Sequence, residues 1–407
     1  MKIKVRPDDF QVEELMRLRM DPRGKYLIYR LEKRLWNTLD VLDFVGRKYR
    51  LGNLQRAGLK DRYAHSIQYI SAVGAGPKMI EEKNFRLRLM GRSATPVSLD
   101  AMIGNRFRIV LRDMTSDELA AVKVNLPRVL KHGFPNYYDE QRFGSARHGE
   151  GFIAHKLILG HYNGALKLYM ATTSARDDSA TRRMKSHFNE HWGDWEACLR
   201  TVQAEASTSS SSGRQANAEF APILRYLAQH PKDFEGALGL IRRDFLEMFL
   251  NSYQSYLWNE TLSQLIMSFG LKTDAVPYSG GELLFYRELN PKAREFFAGH
   301  EIPAASPTTE SSSERIDRTL NTVLIREGLT LRDMKLDLRI PGVFFKPFYR
   351  SGVVVPQKPQ ASSAVLDDLY PDHRKMELSF TLPPGSYATI LVKRLILGNA
   401  PSTVDKP

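Results

Sequence analysis

Residues 105–112, NRFRIVLR, alternate: Phe107, Ile109 and Leu111 fall on one side, Arg106, Arg108 and Arg112 on the other. A period of two is a β-strand with unlike faces. The apolar face belongs on a core. The arginine face is either solvated or set under phosphates. The same reading makes KYLIYRL (25–31) and Ser66 to Ala72 strands, and NTLDVLDFVGRKYR (37–50) a helix with Leu39, Leu42 and Val45 spaced along it. TSDELAAVKVNLPRVLKHG opens with a capping box, Thr115 to Glu118, and stops at Gly133, with Pro127 expected to kink the helix. The first 150 residues are therefore mixed α/β. After residue 155 longer helical stretches take over, such as 242–270. They are interrupted by EASTSSSSGRQANAE (205–219) and PAASPTTESSSE (303–314), which lack apolar content and are expected to be mobile surface loops. The last fifty residues return to short strands, GVVVPQ (352–357) and MELSFTL (376–382), before a Gly-containing turn enters a helix at 383–396. That pattern predicts one domain made from both ends of the chain, with a mostly helical domain inserted between them.

Charge narrows the partners. The 407 residues carry 59 Lys plus Arg against 46 Asp plus Glu, a formal net charge of +13. Such an excess concentrates polyanions around the protein, with nucleic acid first and an anionic membrane surface second. No strongly basic amphipathic helix supports the membrane reading. The single cysteine, Cys198, excludes an intrachain disulfide framework and a cysteine zinc cluster. The first residues, MKIKVRPDDFQVEEL, place charges where a secretory signal needs an apolar run, and no stretch approaches 18 apolar residues. The expectation is a cytoplasmic protein.

Several enzyme classes drop out. No G-x-G-x-x-G follows a strand, and there is no G-x-x-x-x-G-K-[ST] or G-x-S-x-G. GAGPK (74–78) is only a loop. His187 and His191 share a helical face but have no obvious third ligand. What remains is carboxylates, aromatics and cations, which suit chemistry without a metal or cofactor. In AGLKDRYAHSIQYISA (57–72), Lys60 and Asp61 stand just after a glycine at the start of a strand. One such aspartate by itself is either a surface charge or an acid held in a cleft.

Six ordered segments bear on that choice. GLKDRYAHSIQ (58–68) resembles the signature G-x-K-D-x-x-A-x-[ST]-x-Q of the TruD family, the tRNA pseudouridine synthases acting on uridine 13. RPDDFQVEE (6–14) resembles that family's D-F-x-V-x-E, and KRLWNTLD (33–40) its K-x-x-x-N-T. GNRFRIVLR (104–112) is similar to G-N-x-F-x-I-x-L-R, NYYDEQRFG (136–144) to N-Y-F-G-x-Q-R-F-G, and LPPGSYATILVKRL (382–395) to L-P-x-G-S-[FY]-A-T. The resemblance spans residues 6 to 395. It implies a mixed α/β (α+β) fold, with a pseudouridine synthase catalytic domain around a largely antiparallel sheet (1–157 plus 355–407). An inserted, mostly helical TRUD domain (158–354) completes it, with RNA in the cleft between. It implies a monomer that needs no cofactor and takes RNA, above all tRNA, as its partner.

The same resemblance implies roles. Asp61 is the nucleophile of a uracil isomerisation in which C1′–N1 breaks, the base turns and C5 bonds to C1′. Lys60 holds a positive potential beside it, and Lys4 is a cation for Asp61 or a phosphate. Phe10, Asn136, Tyr138 and Tyr387 surround the flipped base and sugar, Asn136 matching the mixed donor and acceptor edge of uracil. Gln141 and Arg142 brace the loop, and Arg142 is also a candidate RNA contact. Two positions depart from the family pattern: Tyr138 stands for phenylalanine, and Asp139 for a glycine, where a left-handed backbone would be costlier. The alternative function is a non-catalytic RNA-binding protein with this fold.

Overall fold

The computed structural model describes residues 1–144, 151–174, 177–207, 211–336, 338, 340 and 342–398. The chain forms two compact units, Met1–Asn136 with Val353–Pro407, and Tyr137–Gly352.

The first unit is built on a ten-stranded sheet. Seven strands come from the N-terminal part: β1 (Phe10–Met16), β2 (Tyr26–Lys33), β3 (Gly52–Arg56), β4 (His65–Val73), β5 (Met79–Glu82), β6 (Phe85–Ser93) and β7 (Met102–Met114). Three come from the C-terminal part: β8 (Gln357–Ala361), β9 (Val365–Leu366) and β10 (Arg374–Leu382). The order is β8-β10-β7-β1-β4-β2-β6-β5, with β9 beside β10 and β3 beside β4. Every pairing is antiparallel except β1 with β4, so the sheet is largely antiparallel and the fold is mixed α/β, as expected.

The alternating segment lies in β7. Phe107, Ile109 and Leu111 are buried, and the Phe107 ring meets Phe380 of β10 at 5.5 Å and Phe10 of β1 at 6.0 Å. The opposite face is not uniform. Arg106 and Arg108 are exposed but pair with Glu13 (3.1 Å) and Glu377 (2.7 Å). Arg112 is buried instead, because Asp9 (2.9 Å), Asp367 (2.8 Å) and Asp368 (2.7 Å) all bond its guanidinium. Three carboxylates offset the cost of taking that charge out of water.

Helix Thr38–Tyr49 covers a core that includes Leu27, Tyr29, Leu31, Ile70 and Leu87. Its buried stripe is Thr38, Val41, Leu42 and Val45, while Leu39, expected on that stripe, is exposed. Helix Ser116–His132 begins with the expected capping box and contains Pro127. It is tied to helix Ala388–Ile396 by Asn125, whose amide donates to the carbonyls of Leu395 (3.0 Å) and Leu397 (2.6 Å).

The second unit is mostly helical. Its longest helix, Arg243–Ser268, buries residues on all sides, Leu250, Tyr253, Trp258 and Leu262 among them, as a helix through the middle of a core must. Two segments differ from expectation. In 205–219, residues 208–210 lie outside the described residues, but 211–219 begin the helix Ser211–Gln229. Ala218 and Glu219 favour a helix once its later turns, with Phe220 and Leu224, have a core to bury against. In 303–314, Ala304, Ala305 and Ser306 are buried. The Gln254 amide donates to Ala305 O (2.7 Å), and Ala304 N–H to Phe348 O (2.9 Å). No described helix is long and apolar enough to cross a membrane.

Candidate active site

The parallel pairing of β1 with β4, Gln11 opposite His65, sets the starts of both strands side by side at one end of the strands, in the middle of the sheet. The chain before β1 carries Lys4; the chain before β4 carries Asp61. They meet there, with Lys4 Nζ 2.5 Å from Asp61 Oδ2. The side chains remain partly reachable, 24% and 22% exposed. Lys4 also sits 4.4 Å from the centre of the Phe10 ring, so the ammonium lies between a carboxylate and an aromatic face. Its backbone is left-handed, φ 58°, which costs a residue with a Cβ about 1–2 kcal/mol. Neighbouring contacts hold it: Lys2 and Arg112 exchange backbone bonds of 2.7 and 2.9 Å, and Arg112 bonds Asp9. The buried arginine of β7 thus anchors the segment that delivers Lys4.

The chain leading to Asp61 is held from three sides. The Gln68 amide donates to Gly58 O (3.4 Å). Thr38 Oγ1 accepts from Lys60 N–H (3.2 Å) and donates to Gln68 Oε1 (2.8 Å). Lys33 Nζ donates to Lys60 O (3.3 Å) and Asp61 O (3.1 Å). These residues are fixed letters of two motif segments, Lys33 and Thr38 in 33–40 and Gln68 in 58–68; their spacing carries no hint that they share one task. Lys60 differs from expectation. Its ammonium turns away to Glu14 Oε1 (2.7 Å), whose other oxygen accepts from Tyr69 N–H (3.0 Å). Glu14 is wholly buried and needs a cation.

Electrostatics at Asp61 follow from these neighbours. Burial pushes its carboxyl upward. The bond and charge of Lys4, the N–H of Tyr63 on Oδ1 (3.0 Å) and the charge of Lys33 together outweigh that push. The pKa falls below the usual carboxylate value, so the group is an anion at neutral pH. A carboxylate held charged and a fifth exposed can attack an electron-poor carbon or stabilise a cation. Leu59 and Tyr63, on either side of it, are exposed.

The family model for tRNA pseudouridine synthase D (TruD) matches residues 1–395. The chain belongs to the TruD family. Over 99% of its length it is 30% identical to the tRNA pseudouridine synthase D of Aquifex aeolicus, covering 100% of that protein. It is 31% identical to the Leptospira interrogans protein of the same name, covering 97% of this chain and 96% of the relative. A crystal structure from Methanosarcina mazei, assigned to tRNA pseudouridine synthase D, superposes with a TM-score of 0.69 at 24% identity over 98% of this chain and 94% of that one. That likeness shows the fold.

The other residues singled out from the TruD motifs divide between the units. In the first, Phe10 and Asn136 are buried, and Tyr387 is half-buried at the cap of helix Ala388–Ile396. In the second, Tyr138 is only 7% exposed. Its ring packs edge-on against Trp258 at 5.6 Å, with the Arg350 guanidinium 4.2 Å and that of Arg142 5.6 Å from its centre. Burial pushes its phenol up, against the opposing charges of Arg350 and Arg142. Arg142 also donates to Ser255 Oγ (3.1 Å), and Gln141 is exposed. Asp139, in place of the TruD glycine, has φ −101° and ψ 171°. That is extended backbone, so the substitution carries no left-handed strain. His187 and His191 stack at 4.0 Å, and among the described residues no group of three or more metal-ligating side chains occurs.

Proposed function

We propose that this protein isomerises uridine to pseudouridine in tRNA, at position 13, with Asp61 as the nucleophile. The observation that carries this reading is the Asp61 carboxylate, ionised and partly exposed at the start of β4 with Lys4 bonded to it. Isomerisation conserves the heavy atoms of the nucleotide. C1′–N1 breaks, the uracil turns, C5 bonds to C1′, the hydrogen on C5 leaves as a proton, and N1 takes up a proton. Nothing is oxidised or reduced, so no cofactor is called for. Breaking the glycosidic bond leaves positive charge on the sugar and negative charge on the base. A carboxylate answers the first by bonding to, or sitting beside, the electron-poor centre, and then leaves. Lys4 keeps it ionised until the substrate arrives.

The uridine must leave its stack to be reached. Phe10, Asn136, Tyr138 and Tyr387 are the groups proposed to hold base and sugar, Lys60 to support the Asp61 segment through Glu14, and Arg142 to contact RNA. Residues 1–157 with 355–407 would be the catalytic domain and 158–354 the inserted TRUD domain. The net charge of +13 favours capture of a polyanion.

The test is tritium release from C5-labelled uridine in tRNA, since forming C5–C1′ expels that hydrogen. The unaltered protein should release tritium from tRNA bearing U13 and not from a transcript with C13. Asp61→Asn keeps the size and removes the charge, so release should fall below detection while tRNA still binds. Near-normal release by D61N would remove Asp61 from the chemistry. Tight tRNA binding without release by the unaltered protein would make this a non-catalytic RNA-binding protein.

A further inference from the structure

Lys33, the last residue of β2, is fully buried. Among the described residues its ammonium has only carbonyls for partners: Trp36 O (2.8 Å), Asp61 O (3.1 Å) and Lys60 O (3.3 Å). A buried cation without a carboxylate is an expensive arrangement. Two of its three acceptors belong to the peptide units of Lys60 and Asp61.

We infer that Lys33 is a positioning residue for the nucleophile: its protonated ammonium clamps the Lys60–Asp61 backbone, so that the Asp61 carboxylate is aimed at Lys4 and the substrate with a second positive charge behind it. This rests on Asp61 being the nucleophile. The stoichiometry of the clamp makes it depend on charge. An ammonium has three N–H donors for three carbonyls; a neutral amine has two donors and a lone pair that must face one of those carbonyl oxygens. Deprotonation therefore loosens the clamp and removes the charge that helps hold Asp61 ionised.

The group titrates where this can be seen. Burial pushes Lys33 down to about 8; the Asp61 charge opposes that and the Lys60 charge adds to it. The other charges nearby are already committed, Lys60 to Glu14 and Lys4 to Asp61. Because the folded pKa lies below that of an unfolded lysine, about 10.4, the unfolded chain binds more protons between these values. The contribution of Lys33 to stability therefore rises with pH across that window. Activity should fall across the same window. A lysine that merely supported the fold would not move the two in opposite directions.

The experiment compares Lys33→Met with the unaltered protein in single turnover on C5-tritiated tRNA from pH 6.5 to 9.5, beside tRNA binding and thermal unfolding. The K33M rate at pH 7 should be about tenfold to a hundredfold lower, with tRNA affinity within about twofold. The falling limb near pH 8 should be present in the unaltered protein and absent from K33M. A folded K33M with an unaltered rate, or the same limb in both proteins, overturns the inference. If K33M does not fold, the unaltered protein still decides: the Lys33 ¹⁵Nζ titration and the pH–rate limb must share a midpoint, and separate midpoints overturn the clamp. D61N separates this inference from the one beneath it. An active D61N defeats the nucleophile reading, whereas an inactive D61N with a normal K33M defeats only the role of Lys33.

Discussion

Residues 58–63 and 137–142 both lie outside the strands and α-helices, the second running into the 3-10 helix Glu140–Phe143, yet their side chains are used differently. In the first, neighbours grip the backbone: Gln68 takes Gly58 O, Thr38 the Lys60 N–H, and Lys33 the carbonyls of Lys60 and Asp61. Leu59 and Tyr63 are then exposed and Asp61 partly so, while Lys60 turns in to the buried Glu14. In the second, Asn259 also grips the backbone, accepting from Tyr138 N–H (2.9 Å) and donating to Tyr138 O (3.0 Å). Here the Tyr138 ring is itself packed, against Trp258 and two guanidinium groups. A segment whose backbone is satisfied by others can present its side chains to a ligand. A segment that packs its side chain into the core presents it to a ligand only by giving that packing up.

The sharpest way to break this contrast is Tyr138→Ala. If the ring is a packing element, truncation should cost the second unit about 3–5 kcal/mol, read by chemical denaturation, and Tyr138→Phe should cost far less. If the ring instead stacks on a displaced uracil after Arg142 moves aside, a stably folded Y138A should lose about 1–3 kcal/mol, tenfold to a hundredfold, in single turnover. That second outcome would place both segments on the ligand side and end the contrast.

Lys4→Met should have the next largest effect. Losing a hydrogen bond to a charged group is worth about 1.5–3 kcal/mol, seen as a slower single turnover with the fold intact. Its pH dependence has a definite sign. In the unaltered protein the folded pKa of Asp61 is depressed, so the stability it contributes is present above the unfolded value and is lost as pH falls through the lower folded one. Without Lys4, burial is less opposed and the pKa rises. The acid limb of the rate profile should then move to higher pH, and an unmoved limb would mean that Lys4 does not set the charge of Asp61.

The smallest effect is expected on the exposed face of β7. Arg106 and Arg108 each neutralise a glutamate. Replacing both by glutamine should therefore change the slope of log affinity for tRNA against log salt by less than one phosphate contact, about 0.7–0.9. A flattening of a full unit or more would show that this face meets RNA after all, and that outward-facing strands join the 58–63 segment in ligand contact.

What local spacing encodes, the chain itself made legible. The period of two in 105–112 became a strand with Phe107, Ile109 and Leu111 inside. Thr115 and Glu118 became a reciprocal cap, and the motifs ordered from residue 6 to 395 pointed to the family whose model matches residues 1–395. The stripe of helix 38–49 was read one position off at Leu39, since helical spacing gives a face but not which part of it the sheet covers. The tertiary structure decided who partners whom. Lys60 stands next to Asp61 in sequence and pairs with Glu14, while Lys4, 57 residues away, takes Asp61. Arg112 shares its parity with two exposed arginines and is buried by Asp9, Asp367 and Asp368. Periodicity reports only which residues share a face of one element. Ion pairs and buried hydrogen bonds depend on which elements become neighbours, and here the single parallel pairing of β1 with β4 brought Lys4 to Asp61.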